Sequence, residues 1–295
     1  MARFAYVNGR FVRHDQAMVH IEDRGYQLAD GVYEVVTVLG GHFVDEAGHL
    51  ARLAHSLSEL RIAPPVKEPV LKQLMRTLVG RNGLKNGILY LQVTRGVAPR
   101  DFKFPRHAES ALVMTTRRMD LSGASTEDGV AVKSAPDIRW ARRDIKSIGL
   151  LAQVLAKQAA AEAGAFEAWM VDADGFVTEG ASSNAWIVTP VGVLVTRRPD
   201  SSILHGITGN TIERLATEQG IKVERRSFTL EEAYQAREAF ISSATTFCIP
   251  VVSIDGRPVA NGHPGEVTRT LRRLYREYAS NRQEDTFPWS APSVS

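Results

Sequence analysis

The chain has 295 residues, 44% hydrophobic and 23% charged, enough apolar material for one large or two medium domains with a sizeable core. Its 36 basic and 33 acidic residues leave a net charge of +3, and no basic tract interleaves with aromatics, so nucleic acid is not expected, and a surplus of this size fits small anionic ligands equally well. Cys248 is the one cysteine, so no internal disulfide is possible; with no apolar run suited to a signal peptide or a membrane span, a soluble cytoplasmic protein is expected.

In chain order, FAYVNGRFV (4–12) alternates around Asn8-Gly9 and predicts a β-hairpin. The segment 20–36 begins as a turn-rich loop and ends in a strand carrying Tyr33 and Glu34. HFV (42–44) reads as a short strand. Leu50, Leu53, Leu57 and Leu60 fall at helical spacing over 49–62, and Pro64-Pro65 ends that helix. A second helix spans 67–82, and strands span 88–96 and 110–118. Residues 1–118 thus read as an N-terminal α+β domain. The polar, turn-forming stretch 119–129 reads as the linker. Residues 130–280 read as a C-terminal α/β domain. It has a strand over 130–136, a helix over 147–164, strands 167–172 and 176–180 around Ala173-Asp174-Gly175, and a hairpin over 184–196. A helix over 208–219 stops at Gly220, a buried strand system covers 239–256, and a basic helix covers 264–279. The last stretch, 281–295, reads as a disordered tail. There are no repeats, no Rossmann or phosphate-loop glycine pattern and no metal-type His/Cys cluster.

Four stretches carry chemistry. In RWARRDIKSIGLL (139–151), Lys146 stands between a charged approach (Arg139, Arg142, Arg143) and an apolar exit (Ile148, Leu150, Leu151); desolvation there would turn an amine into a nucleophile. In SSILHGITGNTIERLA (201–216), Gly206 and Gly209 allow close backbone approach, and Thr208 stands where a helix N-cap would, a pattern suited to a phosphate. FISSATTFCIPV (240–251) offers the hydroxyls of Ser242, Ser243, Thr245 and Thr246, and Arg52 lies on an otherwise apolar helix face. FVTEGASSNAWIV (176–188) ends a strand with Glu179 among small residues, a carboxylate suited to holding a proton on a heterocyclic nitrogen. Each has a plainer reading: a solvated lysine, an ordinary capped helix, solvent-facing hydroxyls, a snorkelling arginine, a turn carboxylate. A lysine, a carboxylate and a phosphate cup in one chain are the parts that pyridoxal 5'-phosphate requires.

The motifs DRGYQLADGVYEVV, HLARL, VTRGVAPR, RWARRDIKS, VTEGASSN, ILHGITG and ISSATT occur in an order that resembles the D-amino-acid aminotransferases of the branched-chain/D-amino-acid (class IV, fold type IV) pyridoxal-phosphate family, from about residue 4 to 280. The resemblance implies a two-domain α/β (α+β) fold, a homodimer, and a C-terminal cofactor domain. It implies Lys146 as the lysine that forms the cofactor imine. It implies Glu179 on the pyridine nitrogen, Ser182, Ser183 and Asn184 near the ring and substrate, and Leu204 packed against the ring. Around the phosphate it implies Arg52, Ile207, Thr208, Ser243, Ala244 (through its N–H) and Thr245, beside Gly206. Tyr33 and Arg100 match two of the three groups that grip the substrate carboxylate in such enzymes. Phe102 stands where the third, a histidine, would be. The expected function is transamination of D-amino acids such as D-alanine, with a 2-oxo acid acceptor (2-oxoglutarate or pyruvate). An (R)-selective amine transaminase is the nearest alternative, followed by a branched-chain L-aminotransferase, an aminodeoxychorismate lyase and a cofactor binder without turnover.

Overall fold

The computed structural model describes residues 3–281; apart from Asn281, the expected tail lies outside them. The described chain forms two compact units. The residues up to Leu121 together with Ile145–Gly149 make one, and Ser122–Asp144 with Leu150–Asn281 make the other.

In the first unit, β1 (Phe4–Val7) and β2 (Arg10–Arg13) pair around Asn8-Gly9. They are followed by α1 (Arg24–Leu28), β3 (Gly31–Leu39), β4 (His42–Phe43), α2 (Glu46–Glu59), α3 (Glu68–Arg81), β5 (Gly87–Thr94) and β6 (Ala111–Arg118). The sheet order is β2-β1-β6-β5-β3-β4 with every pair antiparallel. Alternation assigns its faces. Val32, Val36 and Val38 of β3 and Leu89, Leu91 and Val93 of β5 are buried in one cluster with Leu50, Leu53 and Leu57 of α2 and Met75 and Leu78 of α3. Each such side chain contributes about 1.5–3 kcal/mol on burial. Tyr33, Tyr90 and Gln92 occupy the other face and are half-buried. The helix α1 is not foreseen in the turn-rich 20–30 stretch; it exists because Asp23 Oδ1 accepts the Gly25 N–H at 2.8 Å, capping it.

The second unit contains β7 (Val130–Pro136), α4 (Leu151–Glu162), β8 (Glu167–Val171), β9 (Val177–Gly180), β10 (Asn184–Val188), β11 (Leu194–Thr196), α5 (Ile207–Glu218), β12 (Val223–Arg225), α6 (Leu230–Tyr234), β13 (Glu238–Ser243), β14 (Phe247–Ile254), β15 (Arg257–Pro258) and α7 (Glu266–Ser280). Its sheet is mixed, in the order β12-β11-β10-β13-β14-β7-β8-β9, with β15 on β14. The pairs β11/β12, β14/β7 and β7/β8 are parallel. Trp169, Val177, Ile187, Phe228, Ile241 and Val251 fill its core. The short β12, α6 and β15 leave no periodic trace in the sequence and are found in the structure.

The helix expected over 147–164 begins later, at Leu151. The residues before it lie along the start of β3 instead: Tyr33 N–H donates to Lys146 O at 3.0 Å, Ile148 N–H donates to Gly31 O at 3.1 Å, and Val32 bridges Ser147. Gly31 has β5 on one side and this segment on the other: a Cβ there would meet Val93 O at 2.7 Å and Ile148 Cδ1 at 3.1 Å. This pairing draws Ile145–Gly149 out of the 130–280 stretch and into the first unit.

Candidate active site

The first unit carries Lys146, Tyr33 and Arg52. Lys146 is held by its backbone, through the bond to Tyr33 and through its own N–H to Ser56 Oγ at 3.2 Å. Its half-buried side chain puts Nζ 4.3 Å from the centroid of the Tyr33 ring, a cation–π distance. Tyr33 in turn stacks on Tyr90 at 5.7 Å. Burial, aided by the neighbouring Tyr33, pushes the Tyr90 hydroxyl up to about 12. Arg52 is buried, and its surroundings are not those of a snorkelling side chain. Its Nε and Nη2 donate to Glu34 at 2.7 and 2.9 Å, and Glu34 also meets His49 Nδ1 at 2.8 Å. Burial alone would raise the Glu34 carboxyl; the Arg52 guanidinium more than offsets it and holds Glu34 well below the usual range. His49 and Arg52, three apart on α2, share a face that meets the one acidic residue on the buried side of β3. That spacing was the readable signal for the triad.

Arg100 and Phe102 lie on the loop between β5 and β6. Phe102 is 80% exposed, and Arg100 sits over its ring at 5.5 Å. The loop is anchored by Arg24 Nη1, which donates to Asp101 O at 2.6 Å while its Nε holds Asp30 at 2.8 Å.

The second unit carries the carboxylate and the hydroxyls. Glu179 is buried at the end of β9, and three donors converge on it: Arg139 Nη1, the Leu204 N–H at 2.9 Å and Asn184 Nδ2 at 3.0 Å. Burial raises the Glu179 carboxyl, and the Arg139 charge opposes that shift. Asn184, the first residue of β10, also donates to Leu204 O at 3.0 Å. Ser182 and Ser183 both turn their hydroxyls to the buried Glu167 of β8, at 2.6 and 3.1 Å.

Asn184 pairs with Ser242 across β10/β13, so the end of β13 lies beside the start of β10. The hairpin from β13 to β14 then presents Ser243 Oγ, bonded to Thr245 Oγ1 at 3.2 Å and Thr246 Oγ1 at 2.8 Å, with Ala244 between. Phe247 closes this turn at φ 59°, a conformation unusual for an aromatic residue. The neighbouring α5 packs against β13. Thr208 is not its N-cap: that position is Gly206, with no side-chain cap, and Ile207 and the buried Thr208 are the first two helical residues. Gly206 is extended at φ −71° and ψ 127°, so the helix turns in two residues before Thr208, and the cap position takes a glycine because a Cβ there would collide with Asn184 Oδ1. Ser242, grouped with the open hydroxyls in the sequence, is buried and accepts from Trp186 Nε1 at 2.8 Å.

The second unit therefore brings Glu179, Ser182, Ser183, Asn184, Leu204, Gly206, Ile207, Thr208, Ser243, Ala244 and Thr245 to the linked ends of β9, β10, β13 and α5. Glu34, His49, Asp137, Arg139 and Glu167 are the polar partners that sequence reading left unassigned. A buried carboxylate, a glycine-lined close approach and a helix N-terminus without a side-chain cap together fit a phosphorylated heterocycle with a basic nitrogen. Among the described residues, no cluster of His, Cys, Asp or Glu is arranged to hold a metal ion.

The family model described as amino-transferase class IV matches residues 31–254, and the chain belongs to that aminotransferase family. Its relatives include the D-alanine aminotransferase of Bacillus licheniformis, 40% identical over 265 residues and covering 90% of this chain and 93% of the relative. The D-alanine aminotransferase of Staphylococcus haemolyticus is 36% identical over 278 residues, 94% of this chain and 98% of that protein. Among solved structures, Escherichia coli branched-chain amino acid aminotransferase superposes with a TM-score of 0.88 at 25% identity, covering 98% of each chain. The branched-chain aminotransferase of the thermophilic archaeon Thermoproteus uzoniensis, solved with norvaline, does so with 0.86 at 25% identity, covering 98% of each.

Proposed function

We propose that this chain is a pyridoxal-phosphate-dependent aminotransferase that moves the amino group of D-amino acids, D-alanine among them, to a 2-oxo acid. The observation that carries the reading is Glu179: a buried carboxylate fixed by three donors, at the strand ends beside the N-terminus of α5. The D-alanine aminotransferases at 36–40% identity support the choice of substrate class.

Pyridoxal phosphate, when bound, supplies an electron-accepting ring that lets the α-proton of an amino acid leave. Glu179 holds the proton on the ring nitrogen and so keeps the ring electron-poor. The N–H groups of Ile207, Thr208 and Ala244 and the hydroxyls of Thr208, Ser243 and Thr245 bind the phosphate, with Gly206 giving the backbone room. Arg52 is assigned to the phosphate as well, oriented by Glu34. Leu204 packs on the ring, with Ser182, Ser183 and Asn184 beside it. Lys146 Nζ would hold the cofactor and would serve as the base that takes the α-proton and returns it. Tyr33 and Arg100 grip the substrate carboxylate next to Phe102.

A homodimer is proposed as the working form, supported by exposed apolar side chains: Met18, Ile21, Tyr26 and Phe102 on the first unit, and Leu151, Val154 and Leu155 on the second. Among the described residues, no helix is long and apolar enough to cross a membrane. The cytoplasm is the proposed compartment, in keeping with a lone, buried thiol at Cys248.

An (R)-selective amine transaminase is the second reading. It is favoured by Phe102, an apolar ring beside Arg100 where a donor would serve a carboxylate. The test is a spectral titration. Pyridoxal phosphate is added to the protein, and bleaching of the bound chromophore is followed with D-alanine, L-alanine and (R)-1-phenylethylamine. Bleaching by D-alanine is the expected result; bleaching by the amine alone supports the second reading, and bleaching by neither D-amino acids nor amines overturns both.

A further inference from the structure

The charged surroundings of Glu179 continue one residue deeper than the chemistry above requires. Arg139 presents two edges. Nε and Nη2 form a fork on Asp137, at 2.9 and 2.7 Å, and Nη1 is directed at Glu179. The Arg139 backbone N–H also donates to Asp137 Oδ1 at 3.1 Å. Asp137 accepts from Thr178 Oγ1 at 2.7 Å, and Thr178 is the residue before Glu179 on β9. Arg143 Nε approaches Asp137 at 3.3 Å. The side chains of Asp137, Arg139 and Glu179 are all at most 6% exposed. The segment carrying Arg139 is thus stapled to the same strand that carries Glu179, and the guanidinium cannot swing away without breaking the fork.

A buried carboxylate prefers to be neutral unless a charge lies beside it. Of the three donors on Glu179, Arg139 is the charged one; Leu204 and Asn184 contribute neutral N–H groups. We infer that Arg139 is a positioning residue that keeps Glu179 ionised, and that Asp137 fixes Arg139 for this task. The inference rests on the proposal that Glu179 faces the ring nitrogen of pyridoxal phosphate. Without Arg139, Glu179 would take up a proton, and a neutral carboxyl no longer holds a proton on a neighbouring ring nitrogen. A purely structural ion pair would be complete with Asp137 alone. The second edge on Glu179 is what makes Arg139 a tuning group: the fork on Asp137 fixes its position, and the charge it brings to Glu179 is the agent.

The test uses holoenzyme loaded with pyridoxal phosphate labelled with ¹⁵N in the ring, comparing wild type with Arg139→Gln, Arg139→Lys and Glu179→Gln. The nitrogen resonance reports protonation directly, and fluorescence titration gives the cofactor Kd. Wild type should show a protonated nitrogen at neutral pH. Arg139→Gln should shift the resonance toward the unprotonated position, as Glu179→Gln does. Its cofactor affinity should fall on the order of tenfold to a hundredfold, the worth of one charge-assisted hydrogen bond. Arg139→Lys, which keeps the charge, should retain the wild-type resonance.

A protonated nitrogen and unchanged Kd in Arg139→Gln, with the resonance moved in Glu179→Gln, would overturn the role of Arg139 and leave the assignment of Glu179 standing. An unmoved resonance in Glu179→Gln would overturn both. Should Arg139→Gln fail to fold by circular dichroism, Arg139→Lys decides: loss of the protonated resonance in a folded protein would show that the charge at this position is not the agent.

Discussion

The Glu34–His49–Arg52 triad offers the most quantitative test of the first unit. Glu34 accepts two bonds from Arg52 and meets His49, all between 2.7 and 2.9 Å, and it is fully buried. Glu34→Gln keeps the shape and removes the charge, leaving a buried guanidinium opposite an amide whose NH₂ can only donate. Breaking one side of a buried, hydrogen-bonded ion pair costs about 3–5 kcal/mol. For a unit of this size that corresponds to a fall of roughly 10–20 °C in its unfolding midpoint.

The pH dependence has a definite sign. Arg52 holds the folded-state pKa of Glu34 below its unfolded value of roughly 4.3. The stabilisation is therefore fully present above that value and is lost as the pH falls toward the folded-state pKa. Glu34→Gln cannot titrate, so the gap between wild type and variant should be widest near neutral pH and narrow in acid. Thermal melts followed by circular dichroism, with hydrogen exchange on peptides covering β3 and α2, read both effects. A loss below about 1 kcal/mol at pH 7, or a gap independent of pH, would refute the view that this pair anchors α2 to β3.

Other substitutions probe the chemistry. Lys146→Ala should abolish D-alanine transamination while the melting curve of the cofactor-free protein stays near that of wild type; turnover close to wild type would remove Lys146 from the mechanism. Glu179→Gln should raise the barrier by about 2–4 kcal/mol, the scale of losing one preorganised electrostatic partner, and single-turnover rates matching wild type would count against it. Arg100→Ala should reduce kcat/KM for D-alanine by roughly tenfold to a hundredfold more than for (R)-1-phenylethylamine, since a charge-assisted bond to the carboxylate is worth about 1.5–3 kcal/mol. Equal losses on both substrates would make the arginine structural. Phe102→His should move selectivity the opposite way by restoring a donor, a shift read from the same pair of substrates.

Periodicity made most of the fold legible. The alternation in β3, β5 and β6 and the leucine spacing of α2 come from burying one face, and that constraint is written directly into the residue order. The elements that escaped, α1, β12, α6 and β15, are two to five residues long and owe their existence to a cap or to a neighbouring strand. Residues 147–150 are Ser-Ile-Gly-Leu, mostly poor helix formers joined to the expected helix only by the Ala- and Leu-rich run that follows them, and in the structure Ser147 and Ile148 pair with the start of β3 instead. At the candidate site, the residue types were readable and their company was not. Glu179 stands out as a strand-end carboxylate, but nothing in RWARRD says that Arg139 forks Asp137 and reaches Glu179 while Arg142 pairs with Asp144. Thr208 looks like a cap because its residue type favours one. Gly206 holds that place because Asn184 leaves no room for a side chain.

The return of Ile145–Gly149 to the first unit has a consequence for how the chain assembles. As the protein leaves the ribosome, β1 to β6 emerge first and can pair among themselves, but the segment that lies along the start of β3 has yet to be made. The first unit is finished only after β7 and the stretch bearing Asp137 and Arg139 have been synthesised, so its last backbone bonds wait on residues that open the second unit. A gene split near Leu121 would leave the first half lacking those bonds and the second half carrying Lys146 with no strand to hold it. A cut in the turn between β8 and β9 would keep Lys146 with β3, at the expense of parting β7 and β8 from β14 and β9, the strands they pair with.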